Sequence, residues 1–287
     1  MASKITAFVS HEDIPRHDTG WNHPDHQGRI PAIARAVYRD MLTLFEPMLE
    51  LSAVPATDED LRLVHTAEYV RRVREAAGAQ AAEIDGVRIS GASDEAARAS
   101  VGGALTAVDA VLGGDVRNAF VLARPPGRDA LPDAAAGFSI FNTVAIAARH
   151  LRERRGTRSV LVVSWGSSPA THLRSVLAAP WLQMIDIHTP QEGAAFADAL
   201  RDALGALPSA PGFVLLSAGF DILAGDPVGT LAVEPREVYD ITRVLREWAD
   251  QHASGRLVSV LEGGYDATAT ARAVVQHLRA LIGLPPA

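Results

Sequence analysis

Short runs of apolar and β-branched residues recur along the chain, each closed by Gly, Pro, Ser or Asp and followed by a stretch with helical spacing. The runs are Ile5 to Val9, Leu51 to Pro55, Ala119 to Ala123, Val160 to Val163, Leu182 to His188, Gly212 to Ser217 and Leu257 to Leu261. Uninterrupted apolar runs, rather than an alternation of apolar and polar, mark strands buried on both faces of a parallel sheet. The intervening segments predict helices. Pro31 to Glu46 places Ile33, Val37, Met41 and Leu44 on one face, and a further helix starts within Val64 to Val70. Others run over Ser93 to Gly113, Thr143 to Arg154, Thr171 to Ala178, Gly193 to Leu204 and Val238 to His252, with a last helix ending at Ile282. Thr57 and Asp60 form a capping box before another short helix, Glu83 to Gly91 reads as a loop, and Gly102-Gly103 predicts close packing of a buried helix on the sheet. Strands alternating with helices predict one domain over 1–287: an α/β fold of three layers, α/β/α, with a mainly parallel, doubly wound sheet.

Ligands in such a sheet gather beyond the carboxyl ends of the strands. Four ends stand out: Arg124 to Ala130, Ser164 to Ser168, Ser217 to Asp221 and Glu262 to Asp266. The loop from His11 to Arg29 holds His11, His17, His23 and His26 at irregular spacing, which predicts a hydrogen-bonded surface loop rather than a metal cluster. Asp226 before Pro227 predicts a turn.

Composition narrows the class. The 287 residues are 48% hydrophobic, enough for a large core, and carry a net charge of -7 with the arginines scattered. The densest arginine group, Arg152, Arg154, Arg155 and Arg158, reads as a solvated helix end, so no nucleic-acid partner is expected. The absence of cysteine excludes disulfides, thiolate metal centres and cysteine nucleophiles. No signal core and no run approaching the roughly 20 apolar residues of a membrane span is present, which predicts a cytoplasmic protein with no membrane partner.

Several collinear segments carry a specific likeness: His23-Pro24 with Arg29, Val64-His65-Thr66 with Tyr69, Arg124-Pro125-Pro126-Gly127, Gly137-Phe138 with Phe141-Asn142, Ser217 to Asp221 with Gly225-Asp226-Pro227, and Leu261 to Tyr265. Together they resemble the histone deacetylase and acetylpolyamine amidohydrolase superfamily, which has an arginase-like α/β fold. The resemblance implies a zinc ion held by Asp, His and Asp, a His-His pair that moves protons, and a Tyr that stabilises the oxyanion during hydrolysis of an acetyl amide. It assigns Asp221 to a zinc-ligand position, Tyr265 to the oxyanion donor, Phe138 to a channel wall and Arg29 to a place below the site. The sequence departs from the family at the chemistry itself. Arg128-Asp129 stands where the family has His-His, and Ser164-Trp165-Gly166-Ser167-Ser168-Pro169-Ala170 replaces Asp-x-Asp-x-His-His-Gly. After Asp186-Ile187-His188-Thr189-Pro190 the chain enters the next helix without the family's long loop.

These departures predict that no zinc cofactor is held, since Asp221 is the one retained ligand position and hydroxyls are poor zinc donors. The expected function is non-hydrolytic: a degenerate deacetylase-like protein binding a small or acylated ligand or a partner, with self-association or pairing with an active paralogue. The alternative is an amidohydrolase acting on acetylated lysine or polyamine-like amides, or a metal-free enzyme. Its candidate catalytic residues are Tyr265, Asp129 and His172, with a Ser168-His172-Asp221 triad or an Asp129-Asp221-His188 ligand set as arrangements to test. Phe138, Arg29, Arg128 and Gly264 are the candidate ligand-binding residues, and Arg128 is the expected counter-ion of Asp221.

Overall fold

The computed structural model describes residues 5–44, 46–79, 82–189 and 192–287. Its strands are β1 (Thr6–Ser10), β2 (Met48–Ser52), β3 (Glu83–Ile84), β4 (Val87–Arg88), β5 (Asn118–Val121), β6 (Val160–Trp165), β7 (Leu182–Ile187), β8 (Phe213–Ala218) and β9 (Leu257–Leu261). The helices are α1 (Arg29–Arg39), α2 (Met41–Leu44), α3 (Asp58–Leu61), α4 (Ala67–Gly78), α5 (Ser93–Gly113), α6 (Thr143–Glu153), α7 (Thr171–Val176), α8 (Gly193–Gly205), α9 (Glu237–His252) and α10 (Ala267–Ile282). Seven strands form one parallel sheet in the order β2-β1-β5-β9-β8-β6-β7, so the chain winds outward in both directions from its middle.

Alternate residues of each apolar run serve opposite faces. Phe8, Phe120, Val163 and Leu216 meet α1, α8, α9 and α10, while Val9, Val121, Val162 and Leu215 meet α5, α6 and α7. Burial on both sides is why these strands carry no polar alternation. On the α5 side the layers meet at Gly102, where a Cβ would lie 1.9 Å from the carbonyl oxygen of Val54, and only glycine permits that approach. A smaller core of Leu61, Tyr69, Val73, Ile140 and Phe141 anchors α3, α4 and the β3-β4 hairpin to α5. The predicted capping box is present, with Asp60 N donating to Thr57 Oγ1 (3.2 Å) and Thr57 N donating to Asp60 Oδ2 (2.8 Å).

Three predicted elements differ. The helix expected from Pro31 to Glu46 stops at Arg39, because Asp40 turns out of helical geometry (φ -87, ψ 4) and pairs with Arg279 of α10 at 2.7 Å; the short helix α2 follows, Phe45 lies outside the described residues, and the expected end at Glu46 falls in a turn. Strand β2 begins at Met48 rather than Leu51, in register with Thr6 of β1. The predicted loop from Glu83 to Gly91 contains a hairpin whose turn residues Asp85 (φ 49) and Gly86 (φ 79) both take left-handed geometry, the Asp-Gly pattern of a two-residue β-turn. Among the described residues, no helix is long and apolar enough to cross a membrane.

Candidate functional site

The four strand ends meet around a cavity of about 370 Å³, lined by Pro126, Arg128, Asp129, Gly137, Phe138, Ser139, Ser167, Ser168, Asp221, Val228, Thr230, Glu262, Gly263 and Tyr265. Of the residues singled out in the sequence, Tyr265, Asp129, Phe138, Arg128, Asp221 and Ser168 share this wall.

Arg29 and Gly264 belong to the layer beneath it. Arg29 is fully buried, donates from Nε to the Gly264 carbonyl (2.6 Å) and from Nη2 to the Glu262 carbonyl (3.0 Å), and lies 4.7 Å from the centre of the Tyr265 ring. Its Nη1 pairs with Asp25, and Asp25 Oδ1 also accepts from Arg124 Nε at 3.1 Å. One buried carboxylate thus bridges two buried guanidinium groups under the strand ends. Arg124 donates as well to the carbonyls of His17 and Asp25. His17 corrects the surface-loop expectation: it is 1% exposed, and its Nδ1 bonds Ser93 Oγ at 2.6 Å. Burial, with the charge of Arg124, pushes the His17 imidazole down to about 4, so it is neutral at physiological pH. The family-like segment 64–69 is structural too, with His65 Nε2 accepting from Asn142 N (2.9 Å) and the Tyr69 hydroxyl donating to the Ile140 carbonyl (2.8 Å).

At the centre, Arg128 reaches across the cavity from the β5 loop to the end of β6. Nη2 donates to Ser168 Oγ (2.9 Å), Nη1 makes a long contact to the Ser168 carbonyl (3.4 Å), and Nε lies 3.5 Å from Asp129 Oδ1. A Cβ built on Gly166 would be 2.2 Å from Arg128 Nη1 and 3.6 Å from Asp221 Oδ1, so the guanidinium stands where a side chain at position 166 would begin. Burial works against the Arg128 charge, but Asp129, Asp221 and Glu262 outweigh it and raise its pKa. Asp221 bonds through Oδ2 to the Ser167 backbone N–H (3.0 Å) and hydroxyl (2.6 Å); Oδ1 is buried with no hydrogen-bond partner. Arg128 is therefore a neighbouring counter-charge of Asp221 without direct ion-pair contact.

Two carboxyl groups not placed among the expected site residues hold the wall in shape. Glu262 Oε2 accepts from Gly127 N (2.6 Å) and Arg128 N (3.1 Å), fixing the turn that carries Arg128. Burial pushes its carboxyl up to about 7 against the pull of those N–H groups and of Arg128. With both contacts to backbone made and 2% exposure, Glu262 is a clamp rather than a free base. Its signal in the sequence was an acid at the end of an apolar strand. Asp226 does more than set a turn: Oδ1 accepts from Val228 N (2.9 Å) and Gly229 N (3.0 Å), and Oδ2 from Tyr265 N (2.6 Å) and Asp266 N (3.3 Å). This positions Tyr265, whose ring meets Phe138 edge-on at 5.3 Å, as Phe138 meets His23 at 4.7 Å. Burial lifts the Tyr265 phenol well above its ordinary value, so it is a neutral hydrogen-bond donor.

The drawn triad is not assembled. His172 lies on α7 outside the cavity wall, Ser168 Oγ is engaged by Arg128, and Asp221 by Ser167. His188 is likewise outside the wall, 3.4 Å from Asp186. Among the described residues no three His, Asp or Glu side chains gather as a metal cluster. Zinc needs three close nitrogen, oxygen or sulfur donors of sufficient charge. Of the three carboxylates in the wall, Asp129 lies against Arg128, Glu262 is held by backbone N–H groups, and Asp221 is flanked by serine hydroxyls with a guanidinium over the Gly166 position, which does not meet that need.

A family model described as the histone deacetylase domain matches residues 23–166 and 182–281. The chain belongs to the histone deacetylase family. Its deacetylase-family match is interrupted over 167–181, at the β6 end where Gly166 and Ser168 replace the expected ligands. The chain is similar to human polyamine deacetylase HDAC10, 32% identical over 327 aligned positions that cover 98% of this chain and 48% of that protein. It is also 32% identical to a histone deacetylase-like amidohydrolase of Pseudomonas aeruginosa, covering 75% of this chain and 65% of the relative. The chain spans about half the length of the HDAC10 relatives it matches. The solved structure of an HDA15 HD domain superposes with a TM-score of 0.87 at 23% identity, covering 100% of this chain and 90% of that one, which places the deacetylase fold.

Proposed function

We propose that this member of the histone deacetylase family binds a small ligand in the strand-end cavity without hydrolysing it. The observation that supports the reading is the Arg128 guanidinium 2.2 Å from the Cβ position of Gly166, beside Asp221. A fixed positive charge stands where the family implies a metal-ligand side chain, so the cavity keeps a cationic group that polarises a ligand oxygen but does not activate water. The Arg128-Asp129 pair stands in place of the two imidazoles that the family implies as a proton shuttle. Loss of metal-bound hydroxide and general base together removes several orders of magnitude in rate. The names of the relatives, polyamine deacetylase and amidohydrolase, point to acylated amines as the ligand family.

The test is a calorimetric zinc titration of purified, chelator-treated protein, followed by turnover assays on acetyl-lysine peptide and acetylated polyamines. No zinc uptake and no turnover is the expected outcome. One-to-one submicromolar zinc binding, or metal-dependent release of acetate, overturns the proposal.

A further inference from the structure

Away from the strand-end cavity, α1 packs along α10 and leaves a groove of about 280 Å³ between them. Ala32, Ala36 and Ala271 form its floor, and Arg35, Arg39 and Arg272 its rim. It runs on into a second hollow of about 280 Å³, which shares Ala36, Arg39 and Arg272 and ends at Gln276 and Ala287. The three arginines are exposed, and among the described residues none of them makes an ion pair or a hydrogen bond. The arginine group densest in the sequence is, by contrast, already engaged: Arg154 pairs with Asp60 (2.8 Å), Arg155 pairs with Asp109, and Arg152 Nη1 reaches the Thr157 carbonyl (3.4 Å). Nothing in the groove neutralises its rim. Asp40 is taken by Arg279 at 2.7 Å, and Ala287 bonds the Gln276 side chain through its N–H (3.2 Å) and its oxygen (3.3 Å). The N-terminus of α10 is closed as well, Asp266 accepting from Thr268 N (2.9 Å) and Ala269 N (2.8 Å). Like charges from opposite ends of the chain thus stand unpaired around one groove, and an anionic partner draws on all three.

We propose that this groove docks an extended acidic segment of a partner protein, its carboxylates bonding Arg35, Arg39 and Arg272 and its backbone lying over the alanine floor. Length favours a peptide over a single small anion. Thr268 and Gln276, at the two ends, are eight residues apart on α10. That is about 12 Å of helix, which about four residues of extended chain cover. Guanidinium forks match carboxylates in geometry as well as charge. A nucleic-acid strand fits less well. No aromatic side chain lines the groove for a base to stack on, and the net charge of -7 repels a polyanion that runs past it. The proposal does not depend on what the strand-end cavity binds or whether it catalyses.

Fluorescence anisotropy with labelled hexaglutamate, hexaglutamine and a six-nucleotide oligothymidylate tests this. Hexaglutamate is expected to bind at least about ten-fold tighter than either of the others. Its affinity falls as salt rises from about 50 to about 500 mM, because the rim is exposed. Arg35→Gln, Arg39→Gln and Arg272→Gln each weaken it by about two- to five-fold, and the triple variant binds it no better than hexaglutamine. Arg158→Gln, which removes an exposed arginine without a side-chain partner elsewhere, leaves the affinity unchanged. The urea midpoint of the triple variant stays at the wild-type value, since no internal bond is lost; if it falls, the single variants decide. No preference for hexaglutamate, an unchanged affinity in the triple variant, an equal loss in Arg158→Gln, or tighter binding of the oligothymidylate each overturn the proposal. So does displacement of hexaglutamate by pyrophosphate at matched charge concentration, which would assign the groove to a small anion.

Discussion

Arg128 Nη1 and a side chain at position 166 compete for one volume, since a Cβ on Gly166 would lie 2.2 Å from that nitrogen. Gly166 is outside the left-handed region, so the exclusion is steric rather than conformational. Gly166→Ala is therefore expected to push the Arg128 guanidinium off Ser168 Oγ at a cost of about 1 kcal/mol, since the atom it meets is the far end of a side chain rather than backbone. In the Arg128→Ala background that cost falls, and a double-mutant cycle measured by urea denaturation shows a coupling of about 1 kcal/mol. Additive effects would mean that Arg128 moves aside freely.

The same competition orders the steps by which a metal site is rebuilt. Gly166→Asp and Ser168→His together with Arg128→His and Asp129→His are expected to give one-to-one zinc binding by calorimetry, as ligands return and the guanidinium leaves. Gly166→Asp and Ser168→His alone, with Arg128 kept, bind no zinc. Failure of the fourfold variant to bind would show that the surrounding scaffold has changed beyond the ligand positions.

Asp226 satisfies four backbone N–H groups from two segments. Asp226→Ala leaves them without their acceptor and is expected to cost about 3 kcal/mol, whereas Asp226→Asn, which keeps one acceptor oxygen, costs about half as much. Urea denaturation measures the difference, and equal stabilities of the two variants would mean that water replaces the carboxylate.

Acid lability follows from three buried imidazoles. Burial pushes His17 and His65 down to about 4 and His277 to about 3, Arg124 adding to the effect at His17. The unfolded chain binds these protons near 6.5 and the folded chain does not, so stability drops as pH falls from about 6.5 towards 4. Glu262 acts oppositely. Raised from 4.5 to about 7, it stabilises below the unfolded value and loses that contribution as pH rises through the folded one. Three histidines against one glutamate leave a net loss of about 2 kcal/mol per pH unit on acidification between about 6.5 and 4.5. Glu262→Gln steepens it by about 1 kcal/mol per pH unit. Urea midpoints at pH 7, 6 and 5 for both proteins check the sign and the difference.

The inner strands β1, β5, β9, β8 and β6 were legible because they are buried on both faces and written as unbroken apolar runs, whereas the edge strand β2, largely exposed and carrying Glu50, had its start misplaced. The end of α1 was not, because Asp40 answers to Arg279 on a helix at the far end of the chain. His17 reads like its three loop neighbours, and only the distant Ser93 and Arg124 make it a core residue. The Asp85-Gly86 turn carries its signal locally, as an Asp-Gly pair between two short strands. At the site, motifs predicted which strand ends meet and that the ligand positions were altered, but not where the Arg128 side chain lies. That depends on the space left by Gly166, a property of two residues 38 positions apart. Glu262 and Asp226 accept mainly from backbone N–H groups, and backbone donors carry no side-chain pattern that a sequence displays.

Asp25, shared by Arg29 and Arg124 beneath the cavity, bears on how this protein tolerates change. Here removal of Asp25 strands two buried cations, a loss of about 3–5 kcal/mol, while the serines above it carry no such debt. A saturation scan scored on folded abundance would place its most sensitive positions one layer below the cavity floor, so the molecule's mutational intolerance maps its foundation and leaves the face above free to acquire new specificities.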